Sequence, residues 1–164
     1  MTQGDDGNCP MTFVVESPAF GDGEPIPSRY ARKGDNVSPP LRWTGAPPGT
    51  RSFVLFVEDP DAPSGTFRHW ALYNIAAERD QLPEGADVAD KERFGHGVND
   101  FGNPHYDGPQ PPKGHGAHHY HFRLAALDVP NLDLPLTANV DEIWNAALPH
   151  VIAEAGLVGT YETR

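Results

Sequence analysis

The chain has 164 residues and a net charge of −11, from 12 basic against 23 acidic side chains. That length suits one domain with a real core, and the acidity excludes broad electrostatic docking to nucleic acid or to an anionic membrane surface. Seventeen glycines and 18 prolines, the residues that punctuate turns, favour a loop-rich β protein over a helical bundle.

Residues 1–10 read as a flexible arm and 11–164 as a single domain. The start, "MTQGDDGNCPMTF", lacks the basic residues and apolar run of a signal peptide, and no stretch is apolar enough to span a bilayer. Cys9 is the only cysteine, so no internal disulfide forms. These features together predict a cytoplasmic protein. "MTFVVES" predicts a first strand, and "PAFGDGEPIPSRYARKGDNVSPP" (18–40) a long ordered loop. "RSFVLFVEDPDAP" is the strongest strand signal. Phe53, Leu55 and Val57 fall on one side and Val54 and Phe56 on the other, so this strand is central and covered on both faces. It stops at Asp59-Pro60, because proline lacks the ladder donor.

"FRHWALYNI" (67–75) follows as a strand. Strict alternation puts His69, Ala71, Tyr73 and Ile75 on one face and Trp70, Leu72 and Asn74 on the other. The acidic stretch 76–95 predicts an exposed loop with one helical turn, and 103–117 another proline- and glycine-rich loop. "HHYHFRLAALD" (118–128) is a third clear strand. A helical period then links Ile143, Ala147, Leu148, Val151, Ile152 and Ala155, with Gly156 as its C-terminal cap and Pro149 kinking or splitting it. "LVGTYET" closes as a last strand. Strands, long loops and one terminal helical segment make a mainly β sandwich.

"GHGAHHYHFRL" (114–124) holds four histidines, a density that suggests a metal. Strand alternation splits them: His118, Tyr120, Phe122 and Leu124 share one side, and His119, His121 and Arg123 the other. His119 and His121 could chelate, but Arg123 beside them repels a cation and no cysteine is near, so no metal site is expected. If the loop-to-strand junctions of adjacent strands meet at one sheet end, Asp59, Asp61, His69, His118 and Tyr120 gather there. A carboxylate orients an imidazole and favours its charged form. Two imidazoles, a phenol and the N–H groups of glycine-rich turns then suit a phosphate or carboxylate. The alternative is that these histidines are buried only to satisfy loop carbonyls.

These residues resemble a known family. "DPDAP" (59–63) followed by "HW" (69–70) looks like the first signature of the phosphatidylethanolamine-binding proteins, and "YDGPQPPKGHGAHHY" (106–120) like the second. "NVSPPLRW", "VND" and "LVGTYETR" resemble the shorter bacterial, Raf-kinase-inhibitor-like branch. The resemblance implies a large central sheet, a smaller second sheet and an anion pocket lined by Asp59, Pro63, His69, His118 and Tyr120, with Asp61 bracing the loop. It also implies a cis bond between Ala62 and Pro63, and bacterial relatives are often dimers. The usual "HRY" is "HHY" here, which puts His119 in place of arginine on the face away from the pocket. The eukaryotic C-terminal helical extension is not expected.

The favoured reading is a noncatalytic binding module for a small anion, one that regulates a protein partner and needs no cofactor. One alternative is a hydrolase using Asp59 with His69 or His118 as an acid–base pair. It lacks a "GxSxG" elbow, and Ser64 reads as shaping the turn after Pro63. A protease or kinase inhibitor is a third reading, by fold analogy alone. Phe20, Phe101 and Trp144 either mediate a homodimer or anchor loops in the core.

Overall fold

The computed structural model describes residues 12–164, so the expected arm and Cys9 lie outside the described residues. Two antiparallel sheets form. The smaller joins β1 (Val14–Glu16), β2 (Leu41–Thr44) and β5 (Gln81–Leu82) in the order β1-β2-β5. The larger has the order β6-β4-β3-β7-β8, from β3 (Ser52–Asp59), β4 (Phe67–Ala76), β6 (Gly95–His96), β7 (His118–Leu127) and β8 (Val151–Tyr161). The fold is the expected mainly β sandwich.

The doubly apolar run becomes the middle strand. Phe53, Leu55 and Val57 pack toward the small sheet with Trp43, Trp70 and Phe122, while Val54 and Phe56 pack beneath helix α2 (Val140–Ala147) with Ile143 and Ala147. Burying each such large side chain contributes roughly 1.5–3 kcal/mol. All three aromatics considered for a dimer have partners inside the chain, Phe20 against Phe122, Phe101 against Phe67 and Trp144 against Phe56.

Strict alternation fails in β4, which carries two one-residue bulges. Val57 pairs with Trp70 and Glu58 with Arg68, so His69 is the extra residue. A bulge re-aims a side chain, and His69 therefore departs from Ala71 and Tyr73 and turns toward Tyr120, ring centroids 5.3 Å apart. The second bulge lies near Asn74, whose φ of 57° asparagine tolerates better than most residues. Beyond it Ile75 joins the inter-sheet core with Trp70 and Leu72 instead of facing Tyr73.

The helical run also ends earlier than its period implies. Asn139 and Glu142 form a reciprocal capping box at the start of α2. After Ala147 the chain makes one tight turn, Leu148–His150, and Val151 opens β8. Pro149 cannot donate to Asn145, so the helix stops there. Val151, Glu154 and Ala155 pair with Leu127, Ala125 and Leu124, and Gly156 lies opposite Arg123 as a strand residue, not a cap. The acidic 76–95 stretch is less exposed than its charge suggests. Besides β5 it forms a short helix, α1 (Ala86–Ala89), and Asp87 is buried, accepting the Tyr106 N–H at 2.8 Å.

Candidate functional site

β3 ends where β4 and β7 begin, so the antiparallel order places Asp59, His69, His118 and Tyr120 at one end of the large sheet. They line a cavity of about 250 Å³ together with Pro63, Ser64, Phe67, Phe101, Gln110 and two further prolines, Pro111 and Pro112. Five of the six expected residues are thus brought together. Asp61 turns outward instead: its Oδ2 accepts both the backbone N–H and the Nδ1–H of His119, at 2.8 and 2.7 Å. Those hydrogen bonds hold its carboxyl below the usual range. His119, in the usual arginine position, fastens the 60–66 loop to β7 from outside.

Local chemistry explains the loop. Asp59 Oδ1 accepts the N–H of Asp61 at 2.8 Å, an aspartate turn closing over Pro60. The N–H of Gly65 reaches Ala62 O at 3.1 Å. The cis bond implied at Ala62–Pro63 is not found. Every described peptide bond is trans, the isomer favoured before proline by about 0.5–1 kcal/mol.

Inside the cavity the hydrogen-bond partners constrain each polar group. Asp59 Oδ2 lies 2.7 Å from His118 Nδ1 with both side chains almost fully buried. The carboxylate accepts, so His118 Nδ1 carries a proton. His118 Nε2 lies 2.7 Å from His115 Nδ1, and one proton bridges that contact. His69 Nδ1 is 2.9 Å from Asp107 O, so it donates, and Nε2 takes no hydrogen bond from a described residue. Burial pushes the His69 imidazole down toward its neutral form, against the opposing pull of that carbonyl. Burial first, then the charge of Asp59, pushes the Tyr120 hydroxyl far up, so it stays a donor. Among the described residues Tyr120 Oη makes no hydrogen bond of good geometry, although the Asp59 carboxylate and the Gln110 backbone lie close to it.

A second layer went unread in the sequence. Asn99 donates to His69 O and to Asp107 Oδ2, and accepts from Phe101 N. Asp107, also buried, accepts from the side chains of Asn36 and Asn103 as well. His69 does satisfy a loop carbonyl, as the alternative reading held, yet it also faces the cavity. Asn99 and Asp107 stand inside the "VND" and "YDGPQPPKGHGAHHY" motifs, which marked these segments but not the roles of the two side chains. No group of three or more metal-binding side chains occurs among the described residues.

His69 also gives a pH prediction. Its folded pKa lies below the unfolded value near 6.5, so acidification protonates the unfolded chain first. Its stabilising contribution is present above that pH and is lost as pH falls toward the folded value. Urea unfolding of the wild type between pH 7.5 and 5 should show stability falling, with a shallower slope in His69→Gln. Equal slopes would contradict the assignment.

The model of the phosphatidylethanolamine-binding protein family matches residues 16–162. The chain belongs to that family. A UPF0098 protein of Aquifex aeolicus is 41% identical over 149 residues, covering 90% of this chain and 87% of its own length. One from Pyrococcus abyssi is 43% identical over 156 residues, covering 93% and 86%. Among solved structures, YbcL of Escherichia coli, described as a member of the mammalian phosphatidylethanolamine-binding protein family, shares 34% identity. Its TM-score is 0.85, with 93% of this chain and 99% of that one covered.

Proposed function

We propose that this phosphatidylethanolamine-binding protein relative is a noncatalytic receptor for a small oxyanion, phosphate or carboxylate, held in the cavity between Asp59, His69, His118 and Tyr120. The observation that carries the reading is Tyr120 Oη, a buried donor without a hydrogen bond of good geometry on the wall of a cavity. Leaving such a hydroxyl unsatisfied costs about 1–3 kcal/mol, and an oxyanion removes that cost. The free lone pair of neutral His69 complements a protonated oxygen, so a hydrogen-bearing phosphoryl group meets a donor and an acceptor at once. Proline and phenylalanine walls thin out competing water and strengthen both bonds.

Two observations favour binding over hydrolysis. Ser64 lines the cavity but makes no hydrogen bond to either imidazole, and His118 Nε2 is already engaged by His115. Neither imidazole activates Ser64 as a nucleophile. In thermal unfolding, 10 mM phosphate should raise Tm by roughly 4 °C if Kd is about 1 mM. Tyr120→Phe should remove more than half of that shift. A wild-type Tm indifferent to phosphate and to acetate would contradict the reading.

A further inference from the structure

The cavity interior has no cation to spare. Asp59 and His118 satisfy one another, and His69 and Tyr120 favour their neutral forms. One cation, Arg32, rests against two residues of the cavity lining. Arg32 stacks its guanidinium on Phe101, with Cζ 4.0 Å from the ring centroid, and its Nη1 donates to Gln110 Oε1 at 3.0 Å. Phe101 and Gln110 both line the cavity. The Arg32 backbone N–H donates to Pro109 O at 3.0 Å, which stitches the two loops together at that rim.

Arg32 is also less neutralised than five other arginines. Arg29, Arg42, Arg68, Arg79 and Arg123 each hold a carboxylate oxygen within 2.6–3.4 Å. Arg32 approaches only Asp107, through Nε at 3.6 Å, and Asp107 already receives amide hydrogens from Asn36, Asn99 and Asn103. Its Nη2 donates to no described residue. The result is a planar fork, half exposed and held by stacking, so it loses little further freedom when it meets an anion.

We propose that Arg32 is a specificity residue that reads a second negative charge on the part of the ligand leaving the cavity. This rests on the oxyanion-receptor reading above. The ligand class is a bis-anion, with one acidic group inside and another at the mouth. A zwitterion presenting an ammonium there is disfavoured.

Calorimetric titration with inorganic phosphate, phosphoglycerate and glycerol phosphate tests this, because the last two differ by one carboxylate. At low salt the wild type should bind phosphoglycerate about fivefold more tightly than glycerol phosphate. That preference should shrink at high salt. In Arg32→Gln the ratio should fall to about one whatever that variant's affinity for inorganic phosphate, and Arg32→Lys, which keeps the charge, should retain a preference. If phosphate binds but the ratio is the same in wild type and Arg32→Gln, the role of Arg32 is overturned and the receptor stands. If phosphate fails to bind the wild type at all, the receptor reading falls and takes the inference with it.

Discussion

Replacing Asn99 with alanine is expected to lower the unfolding free energy by about 3–4 kcal/mol. Asn99 is buried, and its side chain ties β4 to the segment 101–107. Nδ2 serves His69 O, His105 O and Asp107 Oδ2 at 2.9–3.1 Å, two hydrogens shared among three acceptors. Oδ1 accepts from Phe101 N and Asn103 N at 2.9 and 3.1 Å. Alanine would strand these groups where water is scarce, and each orphan costs more than the bond was worth. Phe101 forms a cavity wall and His69 a polar face, so phosphate affinity should fall with stability. Asn99→Asp should not rescue, because it sets a second carboxylate against Asp107. Denaturant unfolding of both variants, with phosphate titration of the folded fraction, measures the two effects. A loss below about 1 kcal/mol would mean the network is not what holds the site.

Asp59→Ala should cost about 3 kcal/mol, by removing one partner of a buried pair. His118 Nδ1–H would face an apolar void, and the N–H of Asp61 would lose the acceptor that shapes the loop. Asp59→Asn separates charge from hydrogen bonding. An amide oxygen can still accept from His118, so the expected loss is nearer 1 kcal/mol. The alanine change removes the acceptor that orients the His118 ring, and it should weaken phosphate-induced stabilisation more than the asparagine change does. Chemical denaturation distinguishes the pair, and equal losses for alanine and asparagine would assign the whole effect to charge.

Much of the architecture was legible because burial writes itself into spacing. The run from Phe53 to Val57 is apolar on both faces, and that alone places β3 in the centre. In β7 the buried His118, Tyr120, Phe122 and Leu124 alternate with less buried partners, so the histidine cluster divided as its spacing implies. The convergence of Asp59, His69, His118 and Tyr120 followed from strand ends alone. His69 nonetheless reaches the cavity by a route that alternation cannot see, since a bulge is a property of pairing, and pairing involves a second strand. Val151–Ala155 illustrates a different ambiguity. Over five residues a step of four coincides with two steps of two, as from Val151 to Ala155, and the deciding signal was Pro149. Asn99, Asp107 and His115 stayed hidden because a short polar side chain in a glycine-rich loop looks the same solvated or buried.

The most direct test of the receptor is a crystal grown without phosphate, sulfate or carboxylate and then soaked in arsenate, a phosphate analogue that keeps a proton near neutral pH and whose arsenic scatters anomalously. The expected result is one arsenic peak inside the cavity, with an arsenate oxygen at hydrogen-bond distance from Tyr120 Oη and none there in Tyr120→Phe. An empty cavity at tens of millimolar arsenate, or peaks confined to surface arginines, would contradict it.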